Sequence, residues 1–213
     1  RRLARYPGGG VAPGAVIESL TGDGSAAAMQ WRSEQVDSHP GAVARSLAGL
    51  DDSHAWQLRD RAQQALGDAL ELPHSLAAIQ LAASVRGLDG ARAWQLRTKL
   101  EPVTPVGVIL SVENVWDEAS WQLRQHYLQS APRPVLATLL QSNDARAWAM
   151  RRQVMQVAKE VLNSIYGMEC DDAWALRDAL AATWPSTVVQ SLGDAARTPR
   201  GRAMVERQLT AFP

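Results

Sequence analysis

The sequence predicts an all-α protein, an α-solenoid of about seven antiparallel helix pairs with a repeat of about 27 residues. The first observation behind this is a recurring phrase: Ala55-Trp56-Gln57-Leu58-Arg59, Ala93-Trp94-Gln95-Leu96-Arg97, Ser120-Trp121-Gln122-Leu123-Arg124, Ala147-Trp148-Ala149-Met150-Arg151 and Ala173-Trp174-Ala175-Leu176-Arg177. A looser copy is Ala203-Met204-Val205-Glu206-Arg207. The second is spacing: from Arg97 to Arg177 the closing arginines follow one another at 27, 27 and 26 residues. The third is punctuation: eight residues separate Arg32, Arg97, Arg124 and Arg177 from Pro40, Pro105, Pro132 and Pro185.

Each unit opens on a helix A. Pro13, Val16 and Leu20 share their spacing with Pro40, Val43, Leu47, with Pro105, Val108, Val112, with Pro132, Val135, Leu139 and with Pro185, Val188, Leu192. Proline suits the first helical turn, where its missing N–H has no intrahelical partner. Apolar residues three and seven places on lie along one face, which predicts a helix of about three turns. A turn follows, usually with an acid: Gly22-Asp23, Gly49-Leu50-Asp51, Gly87-Leu88-Asp89, Asn143-Asp144, Gly193-Asp194. Glycine closes helix A, and the acid caps the next helix by accepting backbone N–H bonds. Helix B then carries the Ala-Trp-x-Leu-Arg phrase. Its small residue permits close helix approach, and the residue three places on shares that face. Two short helices cannot bury both apolar faces alone, so the pairs are expected to stack.

The rhythm breaks twice. Arg59 to Arg97 is 38 residues, an excess of 11, or about three helical turns. One or two lengthened helices are expected across 60–85, around Asp60–Leu70 and His74–Val85. The last unit gains three residues at Thr198–Gly201, expected as a longer turn. Arg5 stands 27 residues before Arg32, so residues 1–12 read as the end of a preceding repeat with a linker at Gly8-Gly9-Gly10, and 13–207 as the repeats. With neither end resembling a polar capping repeat, the chain is expected to be a single solenoid cut from a longer polypeptide.

Composition bounds the function. The 213 residues hold 22 basic and 22 acidic side chains, a net charge of zero, and 46% hydrophobic residues. Such a chain can bury a core without metal or disulfide, and it is a poor electrostatic match for nucleic acid or an anionic membrane. Lys99 and Lys159 are the only lysines. Cys170 is the only cysteine, read as a small half-buried residue. No apolar run reaches the roughly 20 residues of a membrane span, and the cytoplasm is the expected compartment.

Helix pairs with a turn acid and a helix-B arginine recurring in register resemble the HEAT-like α-solenoid repeats over nearly the whole chain. The resemblance implies an acid–arginine ladder between neighbouring repeats. The unit here is shorter, and the tryptophan before the arginine is a feature of this chain. The acid-to-arginine distance also shortens along the chain, from eight residues at Asp51 and Asp89, to seven at Asp117 and Asp144, to six at Asp171.

The arginine series Arg32, Arg59, Arg97, Arg124, Arg151, Arg177 and Arg207 has two readings. Each arginine pairs with a turn acid and locks repeats together, or Arg59, Arg97, Arg124 and Arg151 line a groove that binds an acidic partner. Trp56, Trp94, Trp121, Trp148 and Trp174, with Asp51, Asp89, Asp117 and Asp144, read as the structural signature of the repeat. Each of these tryptophans stands three places before its arginine, within stacking reach. Trp31, Trp116 and Trp184 fall off this register and are candidates for partner contact. No catalytic residue is assigned. The chain has no GxxxxGK[ST] or GxSxG motif, and His39, His54, His74 and His126 lack metal-ligand spacing.

The expected function is a non-catalytic scaffold that binds a protein, or another domain of its own chain, along a concave face, with no cofactor, metal or membrane. One alternative is an accessory helical domain of a larger bacterial enzyme such as a kinase-like phosphotransferase. Another is DNA binding, since some alkylation-repair enzymes are HEAT-like. Neutrality and the shortage of lysine argue against nucleic acid.

Overall fold

The structure, a computed structural model, describes residues 13–73 and 75–211. Among these, every regular element is helical: fourteen α-helices and three short 3₁₀ turns, with no strand. In chain order they are α1 (Pro13–Ser19), α2 (Ala26–Gln35), α3 (Pro40–Ser46), α4 (Ser53–Leu66), α5 (Leu76–Ala83), α6 (Ala91–Leu100) and α7 (Pro105–Ser111). There follow α8 (Glu118–Tyr127), α9 (Pro132–Ala137), α10 (Ala145–Gln153), α11 (Ala158–Ser164), α12 (Asp171–Leu180), α13 (Pro185–Ser191) and α14 (Pro199–Ala211). The odd-numbered helices have six to eight residues, about two turns rather than the expected three, and the even-numbered ones nine to fourteen. No helix among the described residues is long and apolar enough to cross a membrane. Arg5 and the triglycine at 8–10 lie outside the described residues, as does His74.

Local chemistry explains the boundaries. Pro13, Pro40, Pro105, Pro132 and Pro185 are each the first residue of a short helix, as expected. In two units the same register position is an alanine. Ala158 starts α11, whereas Ala78 lies inside α5, which begins two residues earlier under a Ser75 cap. Asp52, Asp117 and Asp144 accept N–H bonds from Ala55, Ser120 and Arg146 at the starts of α4, α8 and α10, at 2.9, 2.8 and 2.7 Å. The short helices stop because the chain turns left-handed just beyond them, at Gly22, Gly49, Gly87, Asn114, Gln141 and Gly167, with φ between 56° and 79°. Each of these stands ten residues before an arginine of the series. Glycine and asparagine tolerate that conformation; Gln141 adopts it at some strain.

The first break in rhythm falls on one helix rather than two. The extra residues after Arg59 lengthen α4 to fourteen residues, then form a 3₁₀ turn at Gly67–Leu70; α5 keeps an ordinary eight. At the other end, Thr198–Gly201 is no long turn. Thr198 accepts the Gly201 N–H at 3.1 Å and starts α14 at Pro199. Gly201 packs so closely on the Ala195 carbonyl that a Cβ would collide with it.

The chain divides into two compact units, one ending at Ser120 and the other beginning at Trp121 within α8. In the first, α1, α3, α5 and α7 pack in succession, with α4 against α3 and α5. In the second, α9, α11 and α13 do the same, and α14 closes on α13. Successive short helices thus bury the residues three and seven places after the proline: Val43, Leu47, Val108, Val112, Val135, Leu139, Val188 and Leu192 are all buried. In α1 the face is shifted, with Ile17 buried and Val16 and Leu20 half-buried. The small residues Ala55, Ala93, Ser120, Ala147 and Ala173 have no exposed surface, which is why no larger side chain stands there.

Candidate functional site

The repeat arginines are among the most buried side chains of the protein. Arg32, Arg59, Arg97, Arg124, Arg151 and Arg177 are each 0–1% exposed. Arg32, Arg151 and Arg177 share one bonding pattern. Nε donates to the hydroxyl of Ser46, Ser164 or Ser191 near the end of the next short helix, at 2.9, 2.9 and 3.1 Å. Nη2 reaches back to the carbonyl at the end of the preceding short helix: Leu20, Leu139 or Ile165, at 2.5, 2.6 and 3.0 Å. Nη1 donates to the turn carbonyl three residues later, of Asp23, Ser142 or Met168, at 2.6, 2.8 and 2.7 Å. Arg97 bonds Ser111 and Val85 likewise, and Arg124 bonds the Thr138 hydroxyl at 2.9 Å. Nη2 also reaches the serine carbonyl, which in four places accepts the N–H of the left-handed residue as well: Gly22 to Ser46, Gly87 to Ser111, Gln141 to Ser164 and Gly167 to Ser191. One guanidinium thereby ties two consecutive short helices and the turn between them.

The partners of these arginines differ from the expected turn acids. Among the described residues, Arg32, Arg59, Arg97, Arg151 and Arg177 make no ion pair with a turn acid; their acceptors are carbonyls and hydroxyls at helix ends, where the backbone carries partial negative charge. Arg59, Arg97, Arg124 and Arg151, expected as partner contacts, are each no more than 1% exposed. Arg207 departs from the series: it is exposed and pairs with Asp178 at 2.9 Å, while its neighbour Gln208 is buried. Ion pairs do connect neighbouring pairs of helices, but on the surface, as Arg45–Glu18, Arg92–Asp60 and Arg152–Asp172. Such exposed pairs contribute roughly 0–1 kcal/mol each.

The tryptophans complete the lattice. Trp56, Trp121, Trp148 and Trp174 are buried, while Trp94 is half-buried. Each ring lies under its own arginine, with the guanidinium carbon 4.3 to 5.0 Å from the ring centre. A second, exposed arginine covers three of the rings: Arg92 on Trp56, Arg146 on Trp121 and Arg200 on Trp174. The indole N–H groups of Trp56 and Trp148 donate to the Asp51 carboxylate and the Asn143 amide oxygen, that of Trp174 to the Glu169 carbonyl. Trp94 instead donates to Asp117, and Asp89 stands exposed. The direct hydrogen bonds of Asp51, Asp52 and Asp117 thus go to helix N-termini and indoles.

Electrostatics follow burial. Desolvation pushes the Arg59, Arg97 and Arg151 guanidiniums down to about 10, partly offset by Asp51 and Asp52, by Asp117 and Asp89, and by Cys170 and Asp172. All remain cations at neutral pH. The capping carboxyl of Asp52 is held below its usual 3.8, first by the Ala55 N–H. A carboxyl lowered in the folded state adds stability above its unfolded value and loses it as pH falls through the folded value. Asp52→Ala is therefore expected to lower stability by about 1 kcal/mol at neutral pH. The deficit should shrink as pH drops below 3.8. Urea unfolding of both proteins at pH 7 and at about pH 3 measures it; a deficit independent of pH would refute the charged cap.

Of the off-register tryptophans, Trp116 and Trp184 are each 42% exposed, and Trp31 is half-buried. Sequence periodicity misses a larger surface feature. Leu76 and Ile79 on α5 and Val106 and Leu110 on α7 are 39–67% exposed, and Leu72 is 62% exposed just before α5. Leu76, Ile79 and Leu110 line a groove that also touches Gln80, Arg45 and Arg86. Neither α5 nor α7 contains a charged residue, the signal by which sequence could have found this face. Among the described residues, no three His, Cys, Asp or Glu side chains gather as metal ligands. Comparison of the chain with protein-family models, curated proteins and solved structures finds no match.

Proposed function

We propose that the protein is a non-catalytic helical-repeat scaffold of the α-solenoid kind, with a unit near 27 residues, whose work is to bind a protein partner or another domain of its own chain. The observation that carries this reading is the apolar face on α5 and α7. Leucine and isoleucine at positions i and i+3 of α5, beside Val106 and Leu110 at i and i+4 of α7, make an apolar strip on adjacent packed helices. Arg45 and Arg86 stand at its rim, paired with Glu18 and Glu113 in exposed ion pairs that acidic residues of an occupant can replace. That combination suits an amphipathic helix with an apolar stripe and glutamate or aspartate flanks. The DNA-binding reading loses its main support, because the arginines that would have met phosphates already bond carbonyls inside the protein.

Peptide display against the intact chain tests the reading. Selected peptides should carry apolar residues at helical spacing with acidic flanks. Leu76→Asp and Leu110→Asp should abolish their binding while leaving the melting temperature within about 2 °C, since both side chains are already solvated. Peptides indifferent to both substitutions, or no selection at all, would overturn it.

A further inference from the structure

A different place in the first unit carries a second site, independent of the apolar face. A cleft of about 230 Å³ is lined by α4 and α6, with Trp56, Arg59, Asp60, Gln63, Arg92 and Lys99 around it. Three of these are cations and one is an acid. Asp60 is engaged with Arg92 at 2.9 Å. With Arg59, Arg92 and Lys99 set against Asp60, the lining carries a net of two positive charges. Below it, Arg59 is 1% exposed and bonded differently from the rest of the series. In Arg32, Arg151 and Arg177, Nη1 donates to the carbonyl nine residues earlier. In Arg59 that carbonyl, Leu50, is bonded by Nη2 instead, at 2.6 Å. Nε and Nη2 both turn to the Ser84 carbonyl, 25 residues on rather than 13 or 14. The insertion has moved the partner helix, and Nη1 of Arg59 is left buried without an acceptor. Arg97 Nη1 shares that condition, but of the two only Arg59 lines this cleft.

We propose that this cleft binds a compact oxyanion, a phosphate group or a pair of carboxylates. The exposed Arg92 and Lys99 supply the direct contacts, Gln63 adds a polar side chain, and Arg59 supplies fixed positive charge from beneath. A guanidinium held at low exposure, with one nitrogen unbonded, acts on an incoming anion with less screening than a surface lysine. Trp56, stacked between Arg59 and Arg92 at 4.5 Å from each, reports the event.

The test is an NMR titration of the intact chain with inorganic phosphate, and separately with succinate, at constant ionic strength set by sodium chloride. The Trp56 indole N–H and the Arg59 Nε–H should shift and saturate with one ligand or both, and the ligand that saturates at lower concentration names the source of the oxyanion. Lys99→Gln should weaken binding about threefold, and Asp60→Asn should tighten it by a similar factor. Both positions are exposed, so the melting curves should be unchanged. Shifts that never saturate with either ligand, or an affinity unmoved by both substitutions, would overturn the proposal.

Discussion

Replacing Arg151 with methionine, a side chain of similar length without charge, should destabilise the protein by about 3–5 kcal/mol or prevent folding. Arg151 donates to Ser164 Oγ at 2.9 Å, to the Ser142 carbonyl at 2.8 Å and to the Leu139 carbonyl at 2.6 Å. The last of these still accepts the Ser142 N–H, so its loss is partial. The Ser142 carbonyl and the Trp148 ring face are left without their cation. Swapping a buried ion pair for apolar residues can be neutral when both partners go together; here the acceptors are backbone and stay. Arg151→Lys should rescue little, because one ammonium cannot span acceptors on two helices and a turn. Arg207→Met is the internal control. It belongs to the same sequence series, yet its side chain is 59% exposed and pairs with Asp178, so its loss should fall within about 1 kcal/mol. Urea unfolding of the three variants decides the matter. Equal losses at 151 and 207 would mean that the guanidinium lattice holds nothing together.

That contrast shows what sequence could and could not deliver. The all-α class and the starts of five short helices were legible, because proline and periodic valine or leucine act locally. Periodicity marked Arg59 through Arg177 as equivalent, but period alone does not tell a guanidinium facing carbonyls from one facing solvent. Serine and threonine 13 or 14 residues on, at Ser46, Ser111, Thr138, Ser164 and Ser191, would have told. A hydroxyl kept in register with an arginine points to a buried bond. The HEAT-like resemblance implies a ladder of turn acids and arginines, but a helix N-terminus beside each acid competes better for it. The apolar face was missed for a different reason. It is carried by Leu76, Ile79, Val106 and Leu110, which no repeat period distinguishes, and the insertion lengthens the stretch between Arg59 and α5.

Trp121→Ala should produce the second large loss, about 3–5 kcal/mol, because the ring is 3% exposed and both faces are covered. Arg124 lies 5.0 Å from the ring centre on one side and Arg146 4.4 Å on the other. Deleting the indole opens a cavity against a buried cation, so Arg124 loses ring contact without gaining water. Relaxation is restricted, since Arg124 is held through Nε by Thr138. Trp121→Phe should recover most of the packing and part of the cation–ring attraction, leaving a loss of about 1–2 kcal/mol. Trp184→Ala, at a ring 42% exposed, should lose less than the alanine variant at 121. A double-mutant cycle with Arg146→Ala separates packing from stacking, with a coupling near 0.5–1 kcal/mol expected for an arginine that stays in contact with solvent. If Trp121→Ala unfolds at the wild-type urea concentration, the tryptophan is not a structural wedge, and its recurrence along the chain has to be explained by recognition instead.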